Sequence, residues 1–185
     1  LWASSVEFTH EVPFSEESFA VLTDAYRQFR NVLRILLANL HDTPAEGASL
    51  EGATTVDRWM LSRLQGVIAA CQEAYSEYDF RRVFQTLNQF CTVDLSALYV
   101  DITKDRLYCD AAGAPRRRAT QAVMHRVFDS VCRLFAPILA YTTDEAWEHS
   151  GRTDSVHVEV FPEVDSTLLN PELEARFSKW LELRS

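Results

Sequence analysis

No stretch of the 185-residue sequence sustains the roughly 20 apolar residues that a membrane span requires, so a membrane-embedded chain is not expected. Glycine occurs five times and proline six, far too rarely for collagen-like or low-complexity segments. The sequence contains no G-x-G-x-x-G, no P-loop and no G-x-S-x-G elbow, which removes the usual loops for dinucleotides, nucleotide phosphates and a serine nucleophile. The four cysteines, Cys71, Cys91, Cys109 and Cys132, stand far apart with no C-x-x-C pair, so neither a zinc signature nor a disulfide framework is expected. They read as buried, reduced thiols of a cytoplasmic protein. A di-iron bundle needs Glu-x-x-His pairs on its core helices; the one such pair, Glu7 with His10, precedes the first helix, and no metal site is expected. His125 lies on the same helix as Cys132 but has no evident third partner, so a Cys-His nucleophile gains no support. No basic stretch followed by a short apolar one suggests secretion. A chain that opens on leucine is expected to be a piece of a longer one.

Lysine is nearly missing as well: Lys104 and Lys179 are the only two, and the remaining cations are arginines, whose planar fork suits phosphates and bases. The formal net charge of -9 opposes nucleic-acid binding as an average. Its distribution is uneven. From Lys104 to Arg133 seven cations face three anions, whereas from Asp144 onward ten acids face four bases.

Apolar periodicity supplies the architecture. Ser15 suits the cap of a helix with Glu16 and Glu17 in its first turn, and Phe19, Leu22, Tyr26, Phe29, Leu33, Leu36 and Leu40 form a stripe at threes and fours that should be buried. On another face Arg27, Arg30, Asn31 and Arg34 form a polar ridge with three cations and no acid. The run 41–55 has the composition of a loop, and Thr54 with Asp57 resembles a capping box. A second helix carries Trp59, Leu64, Ile68, Cys71 and Tyr75 and ends near Asp79; a third, from about 80 to 100, carries Leu87, Phe90, Cys91, Leu95 and Leu98, with "YVDITKDRLY" as its end and exit. Pro115 fits the first position of a fourth helix, which makes Arg116, Arg117 and Arg118 its opening turn, an unfavourable place for cations unless an anion arrives there. That helix runs through Val123, Val127, Phe128, Val131, Leu134 and Phe135 until Pro137 kinks or ends it. A short helix follows, with Thr142 and Glu145 as a second capping box, then an extended "SVHVEVFPE" and a final helix. The expected fold is all-α: about four long helices in a bundle, with a short extended C-terminal segment and a last helix.

Four segments, "AYRQFRNVLRILLANLHD", "DRWMLSRLQGVIAACQEAYSEYDFRRVFQTLNQFC", "ALYVDITKDRLYCD" and "RRATQAVMHRVFDSVCRLFAPILAYTTDEAWEH", occur in the order and spacing of the anticodon-binding domain of isoleucyl-tRNA synthetase, a class I aminoacyl-tRNA synthetase. The chain resembles that domain over nearly its whole length. The R-N pair, "API" and the D-E-x-W run are shared with the valine and leucine relatives, while D-x-x-K-D-R-L-Y resembles the bacterial and organellar isoleucine enzyme more closely; Val32 stands where the family commonly has threonine.

The resemblance implies residues 1–14 as a linker from a catalytic core, 15–150 as the helical anticodon-binding domain, and 151–185 as an acidic extended segment with the start of a C-terminal helix. It implies a full-length, monomeric enzyme of the cytoplasm that charges tRNA(Ile) using ATP and magnesium, edits mischarged tRNA in another domain, and can carry zinc in an element at its far carboxyl end. The H-I-G-H and K-M-S-K-S signatures do not occur, so this piece is expected to bind the anticodon stem-loop without catalysing anything. Its candidate contacts are Arg27, Arg30, Asn31 and Arg34 on the first helix, with Tyr99, Lys104, Arg106, Tyr108, Arg116, Arg117 and Arg118 at the third-to-fourth junction. Asp101, Lys104 and Arg106 could instead pair with one another to stitch helices together. The alternatives are the same domain of the valine enzyme, and a helical protein-interaction scaffold without RNA affinity.

Overall fold

A computed structural model of the chain describes residues 1–6, 11, 15–43 and 49–184. The Glu7–His10 pair lies outside these residues. Among the described residues the regular structure is entirely helical: α1 Trp2–Ser5, α2 Glu16–Leu40, α3 Thr55–Ser76, α4 Phe80–Gln89, a π-wound segment Phe90–Val100, α5 Asp101–Cys109, α6 Pro115–Phe135, α7 Ala140–His149 and α8 Pro171–Arg184. No helix among them is long and apolar enough to cross a membrane.

The core forms where the apolar stripes of α2, α3, α6 and the long helix from Phe80 to Cys109 face one another, and its stripe residues Leu36, Leu64, Leu95 and Phe128 are almost fully enclosed. Phe29 holds two of these elements, its ring meeting Phe135 edge-on at 4.4 Å and Phe84 at 6.1 Å. The expected stripe on α2 is buried only in its second half. Phe19 is 41% exposed, although Trp2 of α1 stacks on its ring at 5.9 Å.

The third helix does not stop near 100. It continues to Cys109 by widening into π winding from Phe90 to Val100 and narrowing again, so "YVDITKDRLY" is helix interior instead of an exit. The capping box of Thr54 and Asp57 forms, with the Thr54 amide donating to Asp57 Oδ2 at 2.8 Å. The second expected box does not. α7 begins at Ala140, which places Thr142 and Glu145 inside the helix, where they turn toward α2. Asp79 caps α4 through the Arg82 amide at 2.9 Å, directly after Tyr78 takes a left-handed φ of 58° that lets the chain reverse from α3. α6 begins at Pro115 and ends at Phe135, two residues ahead of Pro137. Gly52, at φ 86°, brings its loop so close to Pro115 that a Cβ would lie 3.0 Å from that residue's carbonyl carbon, which ties the start of α3 to the start of α6.

The segment expected to be extended contains a 3-10 turn at Val156–Val158 and another at Ser166–Leu168. It runs along α3, where Gln72 donates to the Pro162 carbonyl at 2.9 Å and Gln65 accepts from the Asp165 amide at 2.8 Å. α8 then lays Phe177 flat on Trp59, ring centroids 4.9 Å apart.

Candidate nucleic-acid interface

The ridge on α2 is exposed along its whole length, because its residues lie opposite the stripe that packs inward. Arg27 pairs with Asp24 one turn earlier at 3.2 Å, and Arg30 reaches Glu145 of α7 at 3.2 Å and the Tyr26 hydroxyl at 3.4 Å. Pairs this exposed contribute about 0–1 kcal/mol and can exchange partners. Asn31 and Arg34 make no hydrogen bond or ion pair with any described residue.

The junction residues behave differently. Tyr99 is fully buried and donates a 2.7 Å hydrogen bond to Asp57, so no base can stack on its ring. Burial and the neighbouring Asp57 charge push its phenol well above the usual range and keep it a donor. Arg106 donates to the same carboxylate at 3.0 Å with its side chain only 12% exposed. Arg117 is buried, bonding the carbonyls of Leu107 at 3.1 Å and Ala112 at 3.2 Å and the Asp42 carboxylate at 2.7 Å. Arg118 donates to the Asp42 carbonyl at 2.6 Å and to Gln121 at 2.9 Å. The expectation that the opening turn of α6 offers three guanidiniums to an outside anion is therefore corrected: two of the three answer an acid from the end of α2. The Arg117 hydrogen bond also holds the Asp42 carboxyl down at about 2.

Lys104, Tyr108 and Arg116 remain at the surface. Lys104 pairs with Asp101 one turn earlier on α5 at 2.9 Å and so joins no two helices, while Arg106 goes to Asp57 of α3; Arg116 grips Asp110 through two contacts of 2.9 and 2.8 Å; Tyr108 is 73% exposed. The clamp of Asp42 on Arg117 and Arg118, with Gln121 donating to the Asn39 carbonyl at 2.8 Å, gathers the ends of α2 and α5 and the start of α6 at one end of the bundle. Arg34 lies six residues before the end of α2, about 9 Å along its axis from this cluster.

Two grooves flank the ridge. One, of about 200 Å³ between α2 and α7, is lined by Arg30, Leu33, Leu37, Glu145, Ala146 and His149 beside Arg34. The other, of about 410 Å³, lies between α2 and the π-wound segment and has Gln28, Asn31, Arg34, Thr92 and Ser96 along its walls. Sequence reasoning missed Gln28, Thr92 and Ser96. The spacing of Gln28, Asn31 and Arg34 on one helix face was the available signal; which element faces it was not.

Among the described residues no three His, Cys, Asp or Glu side chains stand together in a way that could hold a metal ion. Burial raises the Cys71 thiol to about 12 and pushes those of Cys91 and Cys132 up as well, while Cys109, contrary to expectation, is exposed.

The family model described as the anticodon-binding domain of tRNA ligase matches residues 57–184. The chain is 44% identical over 186 residues to isoleucine--tRNA ligase of Methylacidiphilum infernorum and 40% identical over 190 residues to that of Symbiobacterium thermophilum, covering 100% of this chain and 20% of each relative. It thus spans about a fifth of the length of these curated relatives. Among solved structures, a chain of the ternary complex of LeuRS, tRNA and LeuAMS from Agrobacterium radiobacter superposes with a TM-score of 0.52 at 16% identity, over 86% of this chain and 18% of that one, a likeness of fold.

Proposed function

The chain belongs to the anticodon-binding domain family of tRNA ligases, and on that premise we propose that it grips a tRNA anticodon stem-loop between the α2 ridge and the adjoining bundle end. The observation that carries this reading is the state of Arg34 and Asn31: exposed, on a ridge whose own residues include no acid, and engaged by no described residue. Phosphates condense counterions that cationic side chains release, and this gain offsets the loss of the exposed pairs at Arg27, Arg30, Lys104 and Arg116. The exposed ring of Tyr108 offers a face on which an unstacked loop base can lie.

The relatives' names extend the proposal to the longer protein, an isoleucine-tRNA ligase; the sequence resemblance adds to the same proposal a cytoplasmic monomer acting on tRNA(Ile), with ATP and magnesium handled by a catalytic core and zinc by a separate element. This domain contributes binding and orientation, and no residue of it is assigned a catalytic role.

The test is binding of the chain to tRNA(Ile) and tRNA(Val) anticodon stem-loops over a series of salt concentrations. Arg34→Ala should weaken binding and make the salt slope shallower by about one unit. Arg117→Ala should leave the slope alone and lower the unfolding temperature, since that guanidinium is spent inside the fold. Absence of salt-dependent binding by wild type would overturn the reading, and preference for the tRNA(Val) loop would move the assignment to the valine enzyme.

A further inference from the structure

We infer that Glu145 sets the affinity of the proposed RNA face from within the fold: its carboxylate occupies the Arg30 fork where a backbone phosphate would sit, and RNA must displace it to use that arginine. This rests on the RNA reading above and names a restraint on that same face. The ridge residues of α2 include no acid, and Glu145 reaches Arg30 from α7, 115 positions along the chain. Arg30 donates to both carboxylate oxygens, to Oε2 at 3.2 Å and to Oε1 at 3.5 Å, and its 3.4 Å bond to the Tyr26 hydroxyl holds the guanidinium in that direction. A carboxylate and a phosphate offer the same paired oxygens to a guanidinium, so the two compete for one edge of it.

Joining the helices does not require this pair. The Tyr26 and Thr142 hydroxyls already link α2 to α7 at 3.1 Å, and Leu33 and Ala146, both buried, line the groove between them. The two side chains of the pair are 55% and 50% exposed, and an ion pair so placed is weak and readily exchanged. Other acids beside the candidate contacts differ. Asp57 and Asp42 hold guanidiniums whose side chains are only 12% and 10% exposed, inside the fold. Asp24, Asp101 and Asp110 lie within six residues of their cations.

The groove of about 200 Å³ beside Glu145 has Arg34 and His149 in its lining as well, so two guanidiniums share it with one carboxylate. A phosphate entering there finds Arg34 unengaged and Arg30 occupied. Once it has displaced Glu145, that charge remains a neighbour and repels it. The acid therefore weakens binding twice, through the pair that must open and through the repulsion that follows, and both effects fade as salt screens them.

The experiment is equilibrium binding of the chain and of Glu145→Gln to the tRNA(Ile) anticodon stem-loop over a series of salt concentrations. Glutamine keeps the shape and removes the charge, so binding should tighten about three- to tenfold at low salt and the gain should shrink as salt rises. Glu148→Gln removes an equal charge from an exposed position of α7 outside the groove, and should change affinity much less. The gain from Glu145→Gln should also shrink when Arg30 is already alanine. A thermal melt should place Glu145→Gln at the wild-type unfolding temperature, and a marked drop would assign the pair to stability instead. Binding no tighter than wild type, an equal gain from Glu148→Gln, or a gain that persists in full beside Arg30→Ala would overturn the role of Glu145 alone. Failure of wild type to bind the loop at any salt concentration would overturn the RNA reading beneath it.

Discussion

Replacing Asp57 by alanine should cost this fold about 3–5 kcal/mol, the price of orphaning a buried charge. The carboxylate is fully enclosed and is the acceptor for four neighbours: the Tyr99 hydroxyl at 2.7 Å, Arg106 at 3.0 Å, the Thr120 hydroxyl at 3.3 Å, and the amide and hydroxyl of Thr54 at 2.8 and 2.7 Å. Its removal strands a guanidinium whose side chain is only 12% exposed, leaves a buried phenol without an acceptor, and undoes the cap of α3. Against a total stability of about 5–15 kcal/mol this is a large fraction. At about 2–4 °C per kcal/mol for a chain of this size, the midpoint should fall by about 6–20 °C. Tyr99→Phe, which deletes one donor and orphans no cation, should cost less, about 1.5–3 kcal/mol. The assay is urea and thermal unfolding followed by far-ultraviolet circular dichroism, with Asp57→Ala, Arg106→Ala and the double variant forming a cycle. The double variant should be more stable than the sum of the single losses implies, by about 0.5–3 kcal/mol, because removing both partners leaves no unpaired charge. A loss below about 1 kcal/mol for Asp57→Ala, or strictly additive losses, would refute the claim that this carboxylate organises the junction of α3, α5 and α6.

Two further outcomes follow from ionisation and exposure. The Asp42 carboxyl is held at about 2 in the fold against an ordinary value of 3.8, so the stabilisation it brings is complete above the ordinary value and disappears as the pH falls through about 2. Urea melts across that window should show wild type losing stability with acid and Asp42→Asn losing less; equal slopes would mean the Arg117 contact does not hold the carboxyl down. A chromogenic disulfide reagent should modify Cys109 rapidly in the native chain and leave Cys71, Cys91 and Cys132 until denaturant is added, since burial raises all three of those thiols. Rapid reaction of more than one thiol would contradict the packing around them.

The helices were legible because apolar spacing reports which face turns inward, and Phe29, Leu33, Leu36, Leu87, Phe90, Val127 and Phe128 are all buried as their spacing predicts. Ends of elements were less legible. Phe19 and Leu22 continue the α2 stripe in phase, yet Phe19 is 41% exposed: periodicity tells which face turns inward, and how fully that face is covered is a tertiary property. Tyr99, Lys104 and Arg106 read as an exit because aromatic and charged residues gather at helix ends. Here the polarity has another cause: Asp57, over forty positions earlier, needs donors inside the bundle.

The same distinction governs the candidate site. Counting along the chain between Lys104 and Arg133 gives seven cations to three anions, but charges interact through space, and folding brings Asp42 and Asp57 in from outside that window to take up Arg117, Arg118 and Arg106. A helix start exposes amides that favour any anion, and a carboxylate of the same chain, held nearby by folding, competes at far higher effective concentration than a ligand from solution. The angular position of a residue on a long amphipathic helix is different in kind. Arg34 and Asn31 lie away from the apolar stripe of α2, and among the described residues those that share their grooves are few. Glu145 is such a residue and takes Arg30. The facing positions beside Asn31 are Thr92 and Ser96, which carry no charge, so the ridge keeps its hydrogen-bonding groups free at that groove.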